Sequence, residues 1–171
     1  MALQQFSTFE LAGQWYGVPV QSVQEVIKFQ LMTPVPLAPP AVVGLVNLRG
    51  QVTTAIDLRL RLELPPRGED DVPMIVVVRT DDGLVSLLVD RIGDVVDTEE
   101  ETFESAPETL TGAARELIPG AFKQGERLLL VPDVDRTVVV EPRRAGTTVS
   151  EADSSKSKRR APKRRPTSAA T

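Results

Sequence analysis

The sequence contains no cysteine and no histidine. Without cysteine the protein can form no disulfide and no thiolate metal site. Without histidine it lacks the commonest general base, the commonest protein metal ligand and the imidazole used in phosphotransfer. A hydrolase that pairs Ser or Cys with His is therefore excluded, and an enzyme would have to depend on carboxylates or lysine.

Aromatic residues are scarce too, at 4% of the 171 residues, whereas hydrophobic residues make up 41%. The core must therefore be packed mainly by Val, Leu and Ile, and valine favours strands because its branched Cβ suits a pleated sheet. A chain of this length forms one globular unit or two small subdomains that share a core. No apolar run approaches the length of a bilayer span, and the N-terminus lacks a basic region followed by an apolar one, so we expect a soluble cytoplasmic protein.

The net charge of −4 conceals two parts of opposite sign. Residues 1–142 hold eleven basic and twenty-two acidic residues, a net charge of −11, whereas residues 143–171 hold nine and two, a net charge of +7. This basic tail cannot bury enough apolar surface to offset its chain entropy, so we predict that it is disordered. It could attract nucleic acid, anionic lipid or an acidic protein surface, or fold back on the acidic body, but a solubilising tail of no specific function is the leading interpretation.

The beginning of the chain predicts a β-hairpin followed by a helix. Residues 5–11 and 16–20 have strand patterns on either side of a glycine turn, and Pro19 predicts an edge strand because proline cannot donate to a ladder. Ser22 then precedes Glu25 by three residues, which is the spacing of a capping box. We expect one or two helical turns there, with a loop and a chance match as the alternative.

The rest of the acidic part predicts further short strands. They are expected at residues 44–49, 52–58, 74–78, 84–89, 95–96 and 128–131. A proline-rich connector at residues 33–40, a short helix at 113–117 and a terminal element from Asp133 to about Val140 complete the pattern. Roughly eight to ten short strands suit paired small antiparallel barrels. The polar, turn-rich residues 65–73 are predicted to mark the subdomain boundary.

No constellation of catalytic residues is evident. The sequence contains neither the G-x-x-x-x-G-K-[ST] nor the G-x-G-x-x-G phosphate loop. The acidic clusters at residues 69–71 and 99–101 lie in expected loops, the second within an acidic stretch at residues 97–101. They are interpreted as solvated surface, because charged side chains are mostly exposed. Nothing converges into a nucleophile, a base and an orienting group, so the sequence indicates a binding module with no metal site and no cofactor.

The most informative stretch is residues 44–64. It contains two glycines, an Asn-Leu-Arg-Gly turn at residues 47–50 and a strand pattern that ends at Asp57. Taken alone, this turn is a connector and Arg49 is a solvated charge. The alternation of leucine with charged residues after Asp57 formally continues the strand.

This stretch and its flanks resemble a known family. Residues 44–59, Gly-Leu-Val-Asn-Leu-Arg-Gly-Gln-Val-Thr-Thr-Ala-Ile-Asp-Leu-Arg, resemble the G-V-I-N-L-R-G-x-V-x-P-V-I-D-L-R signature of CheW-like domains. These are the adaptor proteins of bacterial chemotaxis and the related regulatory domain of the histidine kinase CheA. In the same order, residues 16–20 resemble the Y-G-I-x-V strand, 23–26 the V-x-E-V turn, 34–36 the prolines before the signature and 87–92 the V-V-D-x-V segment.

The resemblance covers residues 6 to about 140 and implies a CheW-like domain over residues 1–142. It implies a mainly β fold with few short helices, in which two SH3-like five-stranded β-barrels are intertwined. A short helix is expected after the Asp-Leu-Arg of the signature. It further implies a non-catalytic adaptor that couples chemoreceptor cytoplasmic tips to CheA in membrane-associated arrays.

Motif positions also assign a receptor-binding set. Its members are Val23, Glu25, Gly44, Asn47, Leu48 and Arg49. Arg49 and Glu25 are expected to pair and hold the turn, while nearby aliphatic side chains receive the helical hairpin of the receptor. Ile56 and Leu58 are expected to serve stability, and kinase-facing residues are left unassigned.

Some features depart from the family pattern. Thr54 replaces the usual proline of the signature strand, Ser86 stands where a glycine usually precedes V-V-D, and residues 133–140 are shorter than the usual final helix. The basic tail is also outside the pattern. The alternative function is therefore a CheW-like adaptor of a non-chemotaxis kinase pathway, with the tail binding nucleic acid or an acidic partner.

Overall fold

The structure, a computed structural model, describes residues 3–140, and this part of the chain is mainly β. Its strands are β1 (Leu3–Leu11), β2 (Gln14–Pro19), β3 (Val23–Lys28), β4 (Val42–Leu48), β5 (Gln51–Asp57), β6 (Met74–Thr80), β7 (Gly83–Val89), β8 (Arg91–Glu99), β9 (Phe103–Ser105), β10 (Gly120–Gln124) and β11 (Arg127–Val131). Its α-helices are α1 (Leu58–Arg61), α2 (Gly112–Leu117) and α3 (Val134–Val138). The prediction of a mainly β fold with few short helices is confirmed.

The strands form two sheets. The first has six strands in the order β8-β1-β2-β11-β10-β9, and the second has five in the order β3-β6-β7-β5-β4. Neighbours are antiparallel except for the β2–β11 and β5–β7 pairs. The second sheet is inserted in sequence between β2 and β8 of the first, so the two units are intertwined.

The subdomain boundary predicted at residues 65–73 does not separate the two sheets. These residues connect α1 to β6, and strands of the second sheet lie on both sides of them. The chain instead changes sheet at the 3₁₀ turn Val20–Ser22 and again at Asp90, between β7 and β8. A polar, turn-rich segment marks a surface loop, and such loops have the same composition within a sheet as between sheets.

Both sheets curl so that their outer strands approach. In the second sheet, Thr33 and Leu45 exchange backbone hydrogen bonds of 2.9 and 2.8 Å, which joins the chain after β3 to the opposite edge strand β4. In the first sheet, the Gln124 side chain on β10 donates to the Asp97 carbonyl on β8 at 3.3 Å. The geometry is consistent with the expected pair of small barrels.

One hydrophobic core is shared by the two sheets. It includes buried side chains from β1, β2, β5, β6, β7 and the helices: Phe9, Leu11, Tyr16, Val18, Ile56, Leu58, Val76, Val78, Leu87, Val89, Ala114 and Leu117. The rings of Phe9 and Tyr16 stack with centroids 6.1 Å apart. Smaller clusters lie within each unit, around Val46 and Ile75 in the second and around Phe6 and Phe122 in the first.

Two local predictions at the start of the chain are wrong. The helix expected from Ser22 is a 3₁₀ turn followed by β3, whose residues alternate between half-buried and exposed. β-branched Val23, Val26 and Ile27 pair with β6, and this sheet pairing overrides the capping-box spacing. Nor is β2 an edge strand, because it lies between β1 and β11, and Pro19 is accommodated as its last residue.

The signature strand ends as the resemblance implies. The Asp57 carboxylate accepts a 3.0 Å hydrogen bond from the Arg59 backbone N–H and caps α1. Leu58 and Leu62 are buried, four residues apart on one helical face. The helix therefore replaces the strand that the leucine alternation formally predicts.

The other predicted strands are present, but β9 and β10 lie where no strand was predicted, and β8 is longer than expected. β8 spans Arg91–Glu99, although only residues 95–96 were predicted as strand and residues 97–101 as an acidic loop. The basic tail predicted for residues 143–171 lies outside the described residues. Within residues 3–140, no helix has the length and apolarity needed to cross a membrane.

We expect Ile56→Ala to lower the free energy of unfolding by about 2–5 kcal/mol, because it leaves a cavity in the shared core. The Ile56 side chain is 1% exposed. Val52→Ala is the matched control, since Val52 lies on the same strand but is 60% exposed. Chemical denaturation followed by circular dichroism measures both changes, and equal effects would contradict the assignment of the core.

Candidate functional site

The Asn-Leu-Arg-Gly segment is a tight turn between two paired strands. Leu48 of β4 pairs with Gln51 of β5, and the two residues between them have positive φ, 53° at Arg49 and 88° at Gly50. Asn47 Oδ1 accepts a 2.9 Å hydrogen bond from the Gly50 N–H. Glycine adopts this backbone region freely but arginine seldom does, so the fold holds Arg49 in a strained conformation of the kind found at functional positions.

Arg49 reaches across the seam of the second sheet. Its Nη2 lies 3.3 Å from Oε2 of Glu25 on β3, the opposite edge strand from β4. The Arg49 side chain is 87% exposed and that of Glu25 is 27% exposed. An ion pair this open contributes at most about 1 kcal/mol to stability. The contact therefore orients two charged groups on the surface more than it holds the fold together.

Gly44 is required by the packing at the same seam. A Cβ at this position would lie 2.6 Å from the carbonyl oxygen of Thr33. Because Thr33 forms the bridge to Leu45, a side chain at Gly44 would push the connector away from β4. Gly44 thus permits the barrel to close beside the turn.

The six predicted receptor-binding residues fall into two groups. Asn47 and Arg49 are exposed, and Glu25 is partly exposed beside Arg49. Gly44 and Leu48 are buried, and half-buried Val23 packs against the shared core. The structure therefore brings the two charged residues together, whereas Val23 and Leu48 pack into two different hydrophobic clusters.

Exposed apolar side chains occur on β3, on β4 and on the connector between these two strands. They include Val26, Phe29, Leu31, Val35, Leu37 and Val43. On the connector, Val35 is 37% exposed and Leu37 is fully exposed with φ of 59°. These exposed apolar residues are candidates for contact with a partner.

A second polar cluster lies at the other end of β5 from the turn, at the junction of the two sheets. The Nε of Arg59 donates to both carboxylate oxygens of Asp90, at 2.8 and 3.0 Å. Arg67 donates from Nε to Asp90 Oδ1 at 3.0 Å and from Nη1 to Asp57 Oδ2 at 2.9 Å. All four side chains are at most 16% exposed. We call these four residues the Asp90 network.

Asp90 connects the second sheet to the first. Its Oδ2 accepts a 2.8 Å hydrogen bond from the N–H of Ala12, in the β1–β2 turn, and its own N–H donates to the Glu10 carbonyl at 3.0 Å. Arg59 and Arg67 belong to the second unit. A single carboxylate is thus held by donors from both units.

The contacts of Asp90 and Arg59 shift the pKa values of these two side chains. Burial acts to raise the pKa of Asp90, but hydrogen bonds from Arg59, the Ala12 N–H and Arg67 outweigh it, and the pKa lies below its usual value. The hydrogen bond to Asp90 raises the pKa of Arg59. Asp90 and Arg59 are therefore ionised at neutral pH, and their contacts fix the geometry of the junction.

Sequence reasoning found parts of this network without seeing their relation. Asp57 and Arg59 belong to the signature, and Asp90 follows a buried strand as in V-V-D, but Arg67 was assigned to a boundary loop. The sequence signal was the position of Asp57 and Asp90, at or directly after the ends of two apolar strands. These strands, β5 and β7, are adjacent and parallel, so the two carboxylates lie at the same edge of the sheet. Within residues 3–140, no group of three or more Asp or Glu side chains is arranged to hold a metal ion.

The geometry is that of a binding or scaffold domain: two intertwined small barrels with a charged turn displayed at the seam of one of them. The chain belongs to the CheW-like domain family, whose model matches residues 5–141.

Individual relatives agree with this assignment. The chemotaxis protein CheW of Bacillus subtilis is 37% identical over 74% of this chain and 81% of its own length. That of Treponema pallidum is 32% identical over 77% of this chain and 80% of its own. Among solved structures, the scaffolding protein TtCheW of Thermoanaerobacter tengcongensis superposes with a TM-score of 0.74 at 26% identity, covering 82% of this chain and 96% of that one. The chain is accordingly a chemotaxis adaptor or scaffold.

We expect Asp90→Asn to lower the free energy of unfolding at neutral pH by about 3 kcal/mol, because Arg59 and Arg67 lose their shared charge partner. A depressed pKa confers stability that is fully present above the unfolded value of about 3.9 and is lost as the pH falls through the folded value. The variant should therefore lose less stability than the native chain on acidification below about pH 4.

Denaturation curves recorded over this pH range provide the measurement. Asp82→Asn is the control, because Asp82 is exposed in the β6–β7 turn and lies outside the network. An acid dependence that is the same for Asp90→Asn and the native chain would show that Asp90 does not link the units electrostatically.

Proposed function

We propose that this chain couples the cytoplasmic tips of chemoreceptors to the regulatory domain of the histidine kinase CheA, as a non-catalytic scaffold in the cytoplasm that joins membrane receptor arrays through its partners. The observation that carries the proposal is the Arg49–Glu25 pair, displayed at the closed seam of the second sheet. Family membership and relatives named as chemotaxis and scaffolding proteins support it.

The receptor contact is proposed to centre on Arg49. Its side chain is exposed and contributes little to stability, yet the fold holds it in a strained backbone conformation. Interface hot spots are enriched in arginine and lie among apolar neighbours that exclude water. The exposed side chains of Val26, Phe29 and Val43 lie on β3, the connector after it and β4, and are proposed to receive the apolar face of a receptor helix.

We expect Arg49→Ala to weaken binding of a purified receptor signalling domain by about tenfold or more, corresponding to about 1.4 kcal/mol at an interface hot spot. Isothermal titration calorimetry measures the affinity. Unfolding stability should change by less than about 1 kcal/mol, since the pair with Glu25 is open to solvent. Binding to the CheA regulatory domain should be retained.

Arg115→Ala is the matched control, because Arg115 is an exposed arginine on α2 outside the proposed surface. It should bind the receptor domain like the native chain. Circular dichroism must show that all variants are folded. Unchanged receptor affinity in a folded Arg49→Ala variant would remove Arg49 from the interface, and a native chain that bound neither receptor nor CheA would overturn the proposed coupling.

The alternative is an adaptor for a different kinase pathway, in which the tail at residues 143–171 binds nucleic acid or an acidic partner. Its support is the net charge of +7 in a segment outside the family pattern. If it holds, replacing the six Lys and Arg of residues 158–165 by Gln will reduce duplex DNA binding and its salt dependence, because each phosphate contact releases counterions. Fluorescence anisotropy over a range of salt concentrations tests this. If DNA binding is absent, or is unchanged by the replacement, the tail does not bind nucleic acid.

A further inference from the structure

An apolar groove remains open on the first sheet, away from the Arg49 turn. Two adjoining cavities that share Gln4 and Pro19 form it. Phe6 and Phe122 are buried in its floor, whereas the neighbouring Phe103 is 45% exposed. The rings of Phe103 and Phe122 meet edge to face with centroids 5.1 Å apart.

The exposed ring is held in place by the backbone around it. Gly120 pairs with Ser105, and a Cβ at Gly120 would collide with the Phe103 ring and with the Glu104 carbonyl. Phe103 therefore lies directly over the β10 backbone. An aromatic ring fixed at the surface offers contact area at little cost in side-chain entropy.

The groove is bordered by uncompensated negative charge. Residues 92–114 contain no Lys or Arg, and their acidic residues are Asp94, Asp97, Glu99, Glu100, Glu101, Glu104 and Glu108. Asp97 and Glu100 line the groove itself. In the part of the chain that the structure describes, these carboxylates form no salt bridge. An aromatic floor with an acidic rim fits a basic segment, because Lys and Arg are attracted both to carboxylates and to aromatic faces.

We propose that the chain's own basic tail, residues 143–171, docks in this groove. The tail carries a net charge of +7, and six of its nine basic residues lie at 158–165. Lys158 is eighteen residues beyond Val140, so extended chain can span about 60 Å. A domain of this size has a radius of gyration of only about 14 Å, so the basic residues can reach any face of it.

Tethering makes a weak contact effective. A binding segment on a flexible linker has an effective concentration in the mM range, so contacts too weak to form between separate molecules are populated within one chain. The attraction is largely electrostatic and is screened when the Debye length falls from about 10 Å at 0.1 M salt to about 3 Å at 1 M. The docked tail covers Phe103 at low ionic strength and leaves it at high ionic strength.

The absence of cysteine allows a direct test on the full chain. Ala161→Cys provides a single attachment point for a nitroxide spin label, whose broadening of backbone amide resonances reports proximity. At about 0.1 M salt, amides of Gln4, Phe103 and Phe122 should be broadened selectively, and at about 1 M salt the broadening should disappear. Broadening that is absent, uniform over the surface or confined to another face would overturn the proposal.

Charge-reversed variants locate the docking site. Glu100→Lys with Glu101→Lys should abolish the selective broadening. Glu69→Lys with Asp70→Lys changes the net charge equally in the exposed loop between α1 and β6, and should preserve it. Equal loss in both double variants would show a response to overall charge and would overturn the assignment to the groove.

A mixed sample distinguishes the chain's own tail from that of a second copy. Isotope-labelled chain without the spin label is combined with unlabelled chain that carries it. Docking within one chain predicts no broadening in the mixture. Broadening there equal to that in the singly labelled chain would identify a second copy as the occupant and would overturn the intramolecular proposal.

Discussion

The two units of this molecule depend on a single carboxylate. Asp90 lies where the chain leaves the second sheet, and its oxygens accept hydrogen bonds from Arg59, Arg67 and the Ala12 N–H. A buried charge is tolerated only when it is paired and hydrogen-bonded, so removing one donor would leave the Asp90 carboxylate incompletely compensated. The shared core provides the apolar contact between the sheets, and the Asp90 network fixes their relative orientation.

The surface proposed for recognition lies at the other end of β5 from that junction. The barrel closes there through the Thr33–Leu45 bridge, which Gly44 permits by lacking a side chain. Arg49 and Glu25 then meet across the seam without either being needed for the fold. The molecule thus contains two kinds of ion pair: a buried set that determines structure and an open pair that is proposed to contact a partner.

Much of the fold could be predicted from the sequence because apolar alternation and turn residues are local signals. The Asn47–Gly50 turn and the strand to Asp57 follow from such signals. β3 does not, because Ser22 and Glu25 have the spacing of a helix N-terminus, and pairing with β6 overrides this local preference. The contacts of Arg67 with Asp57 and Asp90 depend on the path of the loop between α1 and β6. No local sequence pattern predicts that path. The Arg49–Glu25 pair was expected only from the family resemblance, since the two residues are far apart in the chain.

The nested connectivity has a consequence for how the chain acquires its structure. β1 pairs with β8 in a register that joins Leu3 to Glu99, so the first sheet cannot be completed until the entire second sheet has been synthesised. Such long sequence separations slow folding, because the entropy cost of closing a long loop is incurred before the stabilising contacts between its ends can form. During synthesis the β1–β2 hairpin therefore has unpaired edges while β3–β7 can already assemble, and the N-terminal strands are the part of a nascent chain most exposed to misassociation.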